Sequence, residues 1–248
     1  MDKLEYIKLL EYINQLLAKS STVLILLGIL VLGVYWLRFF QLKDLKKKFD
    51  YSADHEVVTL KWSGIFIFSG LGLFLNTLFH EIVALNYAWF FIRLLLGAAI
   101  AGSTYYIYIT LLRGLYVTYL NNRLQKLRYK PRISPRTKLE MKLLSEEEED
   151  VHLDAGMQAE EDIFSFDYDV WIDERSDYIK IEKYDGRKLA LQCSKCNYFT
   201  LKVYKEAIIS APTFEEKGEL VKIYRCHYCK HTEKNYFSVS RLKKNLSS

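Results

Sequence analysis

All four cysteines of this chain stand in two C-x-x-C pairs, CSKC at 193–196 and CHYC at 226–229. Each pair is a short loop able to turn two sulfurs toward one ion, and two such loops supply the four thiolates of a tetrahedral zinc site. The 29 residues between the pairs read as a strand-like run from Leu201 to Ser210, a turn-like stretch from Ala211 to Gly218 and a second run from Glu219 to Arg225. Folding that hairpin brings the pairs together. The expected ligands are Cys193, Cys196, Cys226 and Cys229, holding one structural Zn2+ per chain. His227 and His231 stand close by, but with four sulfurs available they are read as bystanders. Disulfides would need an oxidising compartment, redox thiols of thioredoxin type would need a βαβ pattern that is missing, and another thiophilic metal is the remaining alternative.

The elements that must position this site are unevenly built. Half of the 248 residues are apolar, and most of them fall in three long runs within the first 120 residues: 22–40, 62–85 and 88–112. A helix over 22–40 extends roughly 28 Å, about the thickness of a bilayer core. Three transmembrane helices are expected, forming a membrane domain over 21–113. Ahead of them, residues 1–20 place Tyr6, Leu9, Leu10, Ile13, Leu16 and Leu17 at helical spacing opposite Lys8, Glu11, Asn14 and Gln15, as a separate amphipathic helix lying in the interface or against a partner. A cleaved signal peptide is disfavoured, because the start is not basic and the apolar run that follows is too long.

Basic residues orient the spans. Arg38, Lys43, Lys46, Lys47, Lys48 and Lys61 flank the first connection, none lies between Glu81 and Tyr87, and nine fall between Arg113 and Lys142. The expected topology is N-out with the C-terminal domain in the cytosol, with Trp36 and Trp62 at the inner boundary and Tyr87 and Trp89 at the outer. Three polar residues lie inside the spans near the outer end. Glu81 and Arg93 are expected to pair at headgroup level, and His80, Glu81 and Arg93 are the residues that a transporter or enzyme would use. Gly97, Ala98, Ala101 and Gly102 form a small-residue face suited to close helix packing.

A basic juxtamembrane linker over 114–142, with Arg123, Lys126, Arg128, Lys130 and Arg132, is expected to attract anionic lipid at the cytoplasmic face. The sign then reverses: Glu146 to Asp177 holds fourteen acids and one arginine, Arg175, a solvated face or a surface for a basic partner. Within the cytosolic zinc-ribbon domain, 143–248, four phrases occur in order: MKLLSEEEED (141–150), FDYDVW (166–171), APTFEEKG (211–218) and the two cysteine pairs. Together they resemble the cytosolic zinc-ribbon region of bacterial membrane proteins that carry a TPM domain, a phosphatase-like fold. Such ribbons carry further C-x-x-C pairs where this chain reads SPRT (Ser134 to Thr137) and DERS (Asp173 to Ser176). The resemblance thus implies a tandem ribbon whose first metal site is lost, held by packing of Phe164, Phe166, Tyr168, Val170 and Trp171. The TPM domain itself is missing, and its activity does not carry over.

The expected fold class is therefore membrane α with three transmembrane helices plus a small, mainly β cytosolic zinc ribbon, in a multi-pass protein of the bacterial inner membrane. The function these features suggest is a non-enzymatic scaffold or adaptor that offers the ribbon to a membrane-protein or cytosolic partner. A membrane-tethered nucleic-acid- or ribosome-binding ribbon is the alternative, motivated by Lys195, Lys202, Lys205, Lys222, Arg225, Lys230 and Lys234. An enzyme lacks a nucleophile constellation, a phosphate loop or an open metal site.

Overall fold

The computed structural model describes residues 3–78, 87–186 and 190–242, which form two compact units meeting at Lys130 and Pro131. The first unit is helical: α1 (Lys3–Gln41), α2 (Leu45–Leu75), α3 (Tyr87–Leu111), a π-helical turn (Leu112–Tyr116) and α4 (Val117–Arg128). Its three continuous helices are long and apolar enough to cross a membrane. The separate helix expected over residues 1–20 is instead the first half of α1, because no Gly or Pro interrupts the chain at the junction. The hydroxyl of Ser21 there reaches across to the Gly70 carbonyl (2.8 Å). Likewise α2 starts seventeen residues before Trp62, with the Asp44 carboxylate capping the Lys47 amide (3.1 Å).

Beside Leu10, Tyr35, Leu112, Leu120 and Leu124, this unit buries a set of polar residues. Ser21, Ser52, Glu56, Ser63, Asn76 and Arg93 are all at most 8% exposed, while Leu26, Leu30, Leu37, Phe40, Phe91, Leu95, Ile107 and Leu115 face outward. That inversion suits a hydrocarbon solvent, where apolar burial gains nothing and helices associate through close packing and hydrogen bonds. The α1 and α2 pairing shows it: Ser63 Oγ donates to Gly28 O (3.0 Å), and a Cβ on Gly28 would lie 2.6 Å from Ile67. Of the expected small face, Ala101 meets Gly72 and Gly97 meets Asn76 on α2. Ala98 and Gly102 line a groove of about 470 Å³ between α2 and α3.

The second unit holds two antiparallel three-stranded sheets. The first comprises β1 (Lys142–Leu143), β2 (Phe166–Asp173) and β3 (Tyr178–Asp185); the second, β4 (Leu201–Ser210), β5 (Gly218–Cys226) and β6 (Thr232–Val239). The third strand of the second sheet was not foreseen; it runs beside β5 from Thr232 opposite Arg225 to Val239 opposite Gly218. Between β1 and β2 lie α5 (Glu146–Glu149), opened by a Ser145 and Glu148 capping box, and α6 (Ala155–Asp162), capped by Asp154. The core gathers Leu153, Tyr168 and Val170, with Leu144, Met157 and Phe166 packed against it. Trp171 is buried under the Arg132 guanidinium, 4.8 Å from its ring centre. Phe164 does not join this core: it occupies a turn at φ 56° and stands 63% exposed.

Two buried carboxylates tie the unit together. Glu182 receives Arg132 (2.7 and 3.0 Å) and the Tyr184 hydroxyl (2.7 Å). Glu160, with no exposure, receives the Tyr168 hydroxyl, Lys183 Nζ (2.7 Å) and the Phe199 amide (2.7 Å), so α6 grips the loop that leads into the second sheet. Arg132 was expected to serve lipid; it is an internal residue of this unit instead. The acidic block is partly internal too, since Glu149, Glu160, Asp169 and Asp173 are buried.

Candidate metal centre

Each cysteine pair sits in a reversing turn. In the first, the Cys193 amide donates to Tyr198 O (2.9 Å) and the Asn197 amide to Cys193 O (2.9 Å), with Asn197 in the left-handed region at φ 63°. In the second, the Cys226 amide donates to His231 O (2.8 Å) and Lys230 takes φ 61°. Strand register closes the gap between them: Cys226 stands opposite Leu201 on β4, and Leu201 exchanges two backbone hydrogen bonds with Leu191, just before the first turn.

The four sulfurs converge within 4.8 Å of one another. Cys193 Sγ lies 3.6 Å from Cys229 Sγ, and Cys196 Sγ 3.7 Å from Cys226 Sγ. A tetrahedron with Zn–S bonds of about 2.3 Å has S···S edges of about 3.8 Å, so both contacts fit a shared ion and are far too long for a disulfide of about 2.05 Å. Four thiolates leave no open coordination position, and Cys193 and Cys226 have no exposure; such a centre is structural rather than catalytic. Burial pushes the Cys226 thiol up, but hydrogen bonds from the Thr200 hydroxyl (2.9 Å) and the Cys229 amide (3.3 Å) outweigh it and bring the thiol down to about 6. Burial carries Cys196 up to about 12. Ligation requires all four sulfurs as thiolates, a state that a bound divalent cation would stabilise. His231 Nε2 lies near Ser194 Oγ (3.5 Å) and Glu233 (3.6 Å), and His227 Nε2 near Asp162 (3.9 Å), so both imidazoles have other partners.

The SPRT and DERS positions also come together. The Ser134 amide donates to Leu139 O (2.8 Å) and the Lys138 amide to Ser134 O (3.1 Å), the same two bonds at the same offsets as in the Cys193 turn, and Lys138 takes φ 61°. Across from it Asp177, one residue after DERS, takes φ 49°. Between these turns lies a carboxylate: Asp173 Oδ2 accepts from Thr137 Oγ1 (2.7 Å) and Ser176 Oγ (2.6 Å), and Oδ1 from the Arg175 amide (3.1 Å). The hydroxyls of Ser134 and Ser176 hold the Asp173 carboxyl well below the usual carboxylate range. A hydrogen-bonded anion joins the two turns here. Its oxygen donors are no substitute for a soft thiolate set.

Comparison with family models, curated proteins and solved structures returns no match.

Of the polar residues expected inside the spans, His80 and Glu81 lie outside the described residues. Arg93 is 8% exposed and donates to Asn14 Oδ1 (2.9 Å) on α1 and to the Leu78 carbonyl (3.3 Å). A second charged cluster was missed by sequence reasoning. Glu56 on α2, 2% exposed, accepts from Tyr35 on α1, from Tyr116 in the π turn and from Arg123 on α4. The signal was an acid directly before the apolar VVTL of residues 57–60, four residues from Ser52, whose hydroxyl lies 3.2 Å from the Tyr35 hydroxyl. Placing Glu56 in a loop hid it.

Proposed function

We propose that this chain is a multi-pass protein of the bacterial inner membrane, N-out and with its second unit in the cytosol, that serves as a scaffold or adaptor and catalyses no reaction of its own. The observation that carries this reading is the closed Cys193, Cys196, Cys226 and Cys229 set, which fits one structural zinc and has no open coordination position. A ribbon held by such an ion contributes a rigid surface. The orientation rests on the basic flanks, nine residues between Arg113 and Lys142 against none between Glu81 and Tyr87.

The second unit reads further as a duplicated zinc ribbon with one metal site kept and one replaced. Support comes from the reversing turn shared by Ser134 and Cys193, with left-handed residues at Lys138, Asp177, Asn197 and Lys230. The phrases resembling the TPM-protein ribbon agree with it. Purification from native membranes in mild detergent tests the adaptor role: a stoichiometric protein companion that is lost when Cys226→Ser removes the zinc is expected. Isolation of the chain without one would overturn the role.

A further inference from the structure

One face of the second sheet carries cations and aromatic rings together. Cross-strand pairs share a face, so the register Lys202 with Arg225 and Thr232, then Lys205 with Ile223 and Lys234, then Ala207 with Val221 and Tyr236, defines it residue by residue. The irregularity between Val203 and Lys205 sets Tyr204 free of the ladder, and its ring lies under Arg225, 5.5 Å from the guanidinium carbon. Tyr204 and Tyr236 are 66% and 61% exposed. Among the described residues no carboxylate pairs with Arg225, Lys205 or Lys234; the one ion pair across this sheet, Lys222 with Glu206, belongs to the opposite face. At the metal end the face deepens into a concavity of about 280 Å³ lined by Lys202, Tyr204, Arg225, His227 and Lys230, with no acid in its lining.

An exposed tyrosine on a strand is ordinary, and so is an exposed lysine. Two exposed tyrosines interleaved with four cations of the strands and Lys230 of the adjoining turn, with Glu219 at the far end the one acid that the register places on this face, call for a ligand with negative charge and flat apolar surface at repeating intervals. A bilayer surface offers charge without rings to stack on, and an acidic peptide offers no regular planar partner. Single-stranded nucleic acid offers both. We propose that this face of the ribbon binds single-stranded nucleic acid, with phosphates on Lys202, Arg225, Lys230, Lys205 and Lys234 and unpaired bases stacked on Tyr204 and Tyr236. The proposal goes beyond the adaptor role and stands without a protein companion.

The test uses the full chain in neutral detergent, a fluorescent oligouridylate of about 20 nucleotides followed by anisotropy, and heparin and phosphatidylglycerol vesicles as polyanions without bases. Binding of the oligonucleotide is expected to weaken with salt, with a log–log slope of about −0.7 per phosphate engaged. Arg225→Ala should reduce that slope by about one phosphate's share. Tyr204→Ala and Tyr236→Ala should each weaken oligonucleotide binding about five-fold or more, as loss of one stacked base does, while heparin binding holds. Zinc content shows that each variant keeps its ribbon, and the juxtamembrane cations, untouched in all of them, serve as the internal control. No binding at low salt overturns the proposal. So does binding that ignores both tyrosines, which would mean a polyanion patch only, or binding of vesicles that depends on Arg225 as strongly as that of the oligonucleotide.

Discussion

A single sulfur decides whether the second sheet is held at its base. β4, β5 and β6 bury little beyond Leu201, Tyr224 and the cysteines themselves, too small a core to offset the entropy of ordering three strands. The free energy of metal binding in such a ribbon is folding free energy, about 10–16 kcal/mol for zinc-finger peptides at neutral pH. Cys226→Ser should therefore abolish zinc retention and expose the amides of β4 to β6 to rapid hydrogen exchange, while α1 to α3 keep their protection; metal analysis beside exchange mass spectrometry reads both. Two zinc ions per wild-type chain, or none under reducing conditions, would refute the one-site assignment. A second residue-scale effect lies at the acidic cleft. Burial, with repulsion from Asp169 and Asp167, raises Glu149 to about 7, and burial raises Glu161 likewise. The unfolded carboxyls titrate near 4.3, so folding carries no penalty from them below that pH. The stability of the second unit should fall as pH rises from about 4.5 to about 7. Glu149→Gln keeps an oxygen for the Val170 amide and should flatten that fall, stabilising the unit at pH 8 by on the order of 2 kcal/mol. Denaturant midpoints at pH 5 and pH 8 with saturating zinc measure it; an unchanged pH dependence would remove Glu149 as its source.

At the scale of elements, α1, α2 and α4 are fastened together by Glu56. Replacing it with Ala leaves the Arg123 guanidinium, 25% exposed, without its carboxylate, and breaking such a pair costs up to about 3–5 kcal/mol when the partner is buried. Glu56→Ala should lower the melting temperature in detergent, and Arg123→Leu added to it should recover part of the loss; strict additivity would mean the residues do not couple. The turns of the second unit offer a sharper test of their own. With Ser134, Thr137, Asp173 and Ser176 all changed to Cys, the duplicated reversing turns should hold a second ion and raise zinc from one to two per chain. A quadruple variant that folds with one zinc would show that the turns resemble each other in backbone only. The same elements show what was legible beforehand. The two C-x-x-C pairs, both strands of their hairpin and the three apolar helices are local signals, readable from spacing and run length. Glu56, Glu160 and the Arg132 pairing with Glu182 were not, because the cation that pairs with each carboxylate lies 23 to 67 positions away and each looks like solvated charge in its own neighbourhood. β6 was overlooked for a related reason: its sequence, TEKNYFSV, is polar on one face and unburied on the other.

At the scale of the molecule, the exterior of the helical unit and the charge of its connections must agree. A bundle that exposes Leu30, Leu37, Phe40, Leu95 and Ile107 while burying Ser52, Ser63 and Asn76 is stable only where the surroundings are hydrocarbon, so the direction in which it is threaded follows from which ends can cross. Lys43, Lys46, Lys47 and Lys48 lie at the connection between α1 and α2, and Arg113, Lys126, Arg128 and Lys130 along and beyond the far end of the third span; moving either cluster through the bilayer core would cost several kcal/mol per cation. The connection near Asn86, without a basic residue, carries no such penalty. A single cysteine introduced at Asn86, in a chain whose four native cysteines are protected by the proposed zinc, should react with a membrane-impermeant maleimide in intact cells, whereas one introduced at Lys46 should react only after the cells are opened. The opposite pattern would place the zinc ribbon outside, where an oxidising compartment would favour disulfides over thiolate ligation, and the metal centre and the topology would fall together.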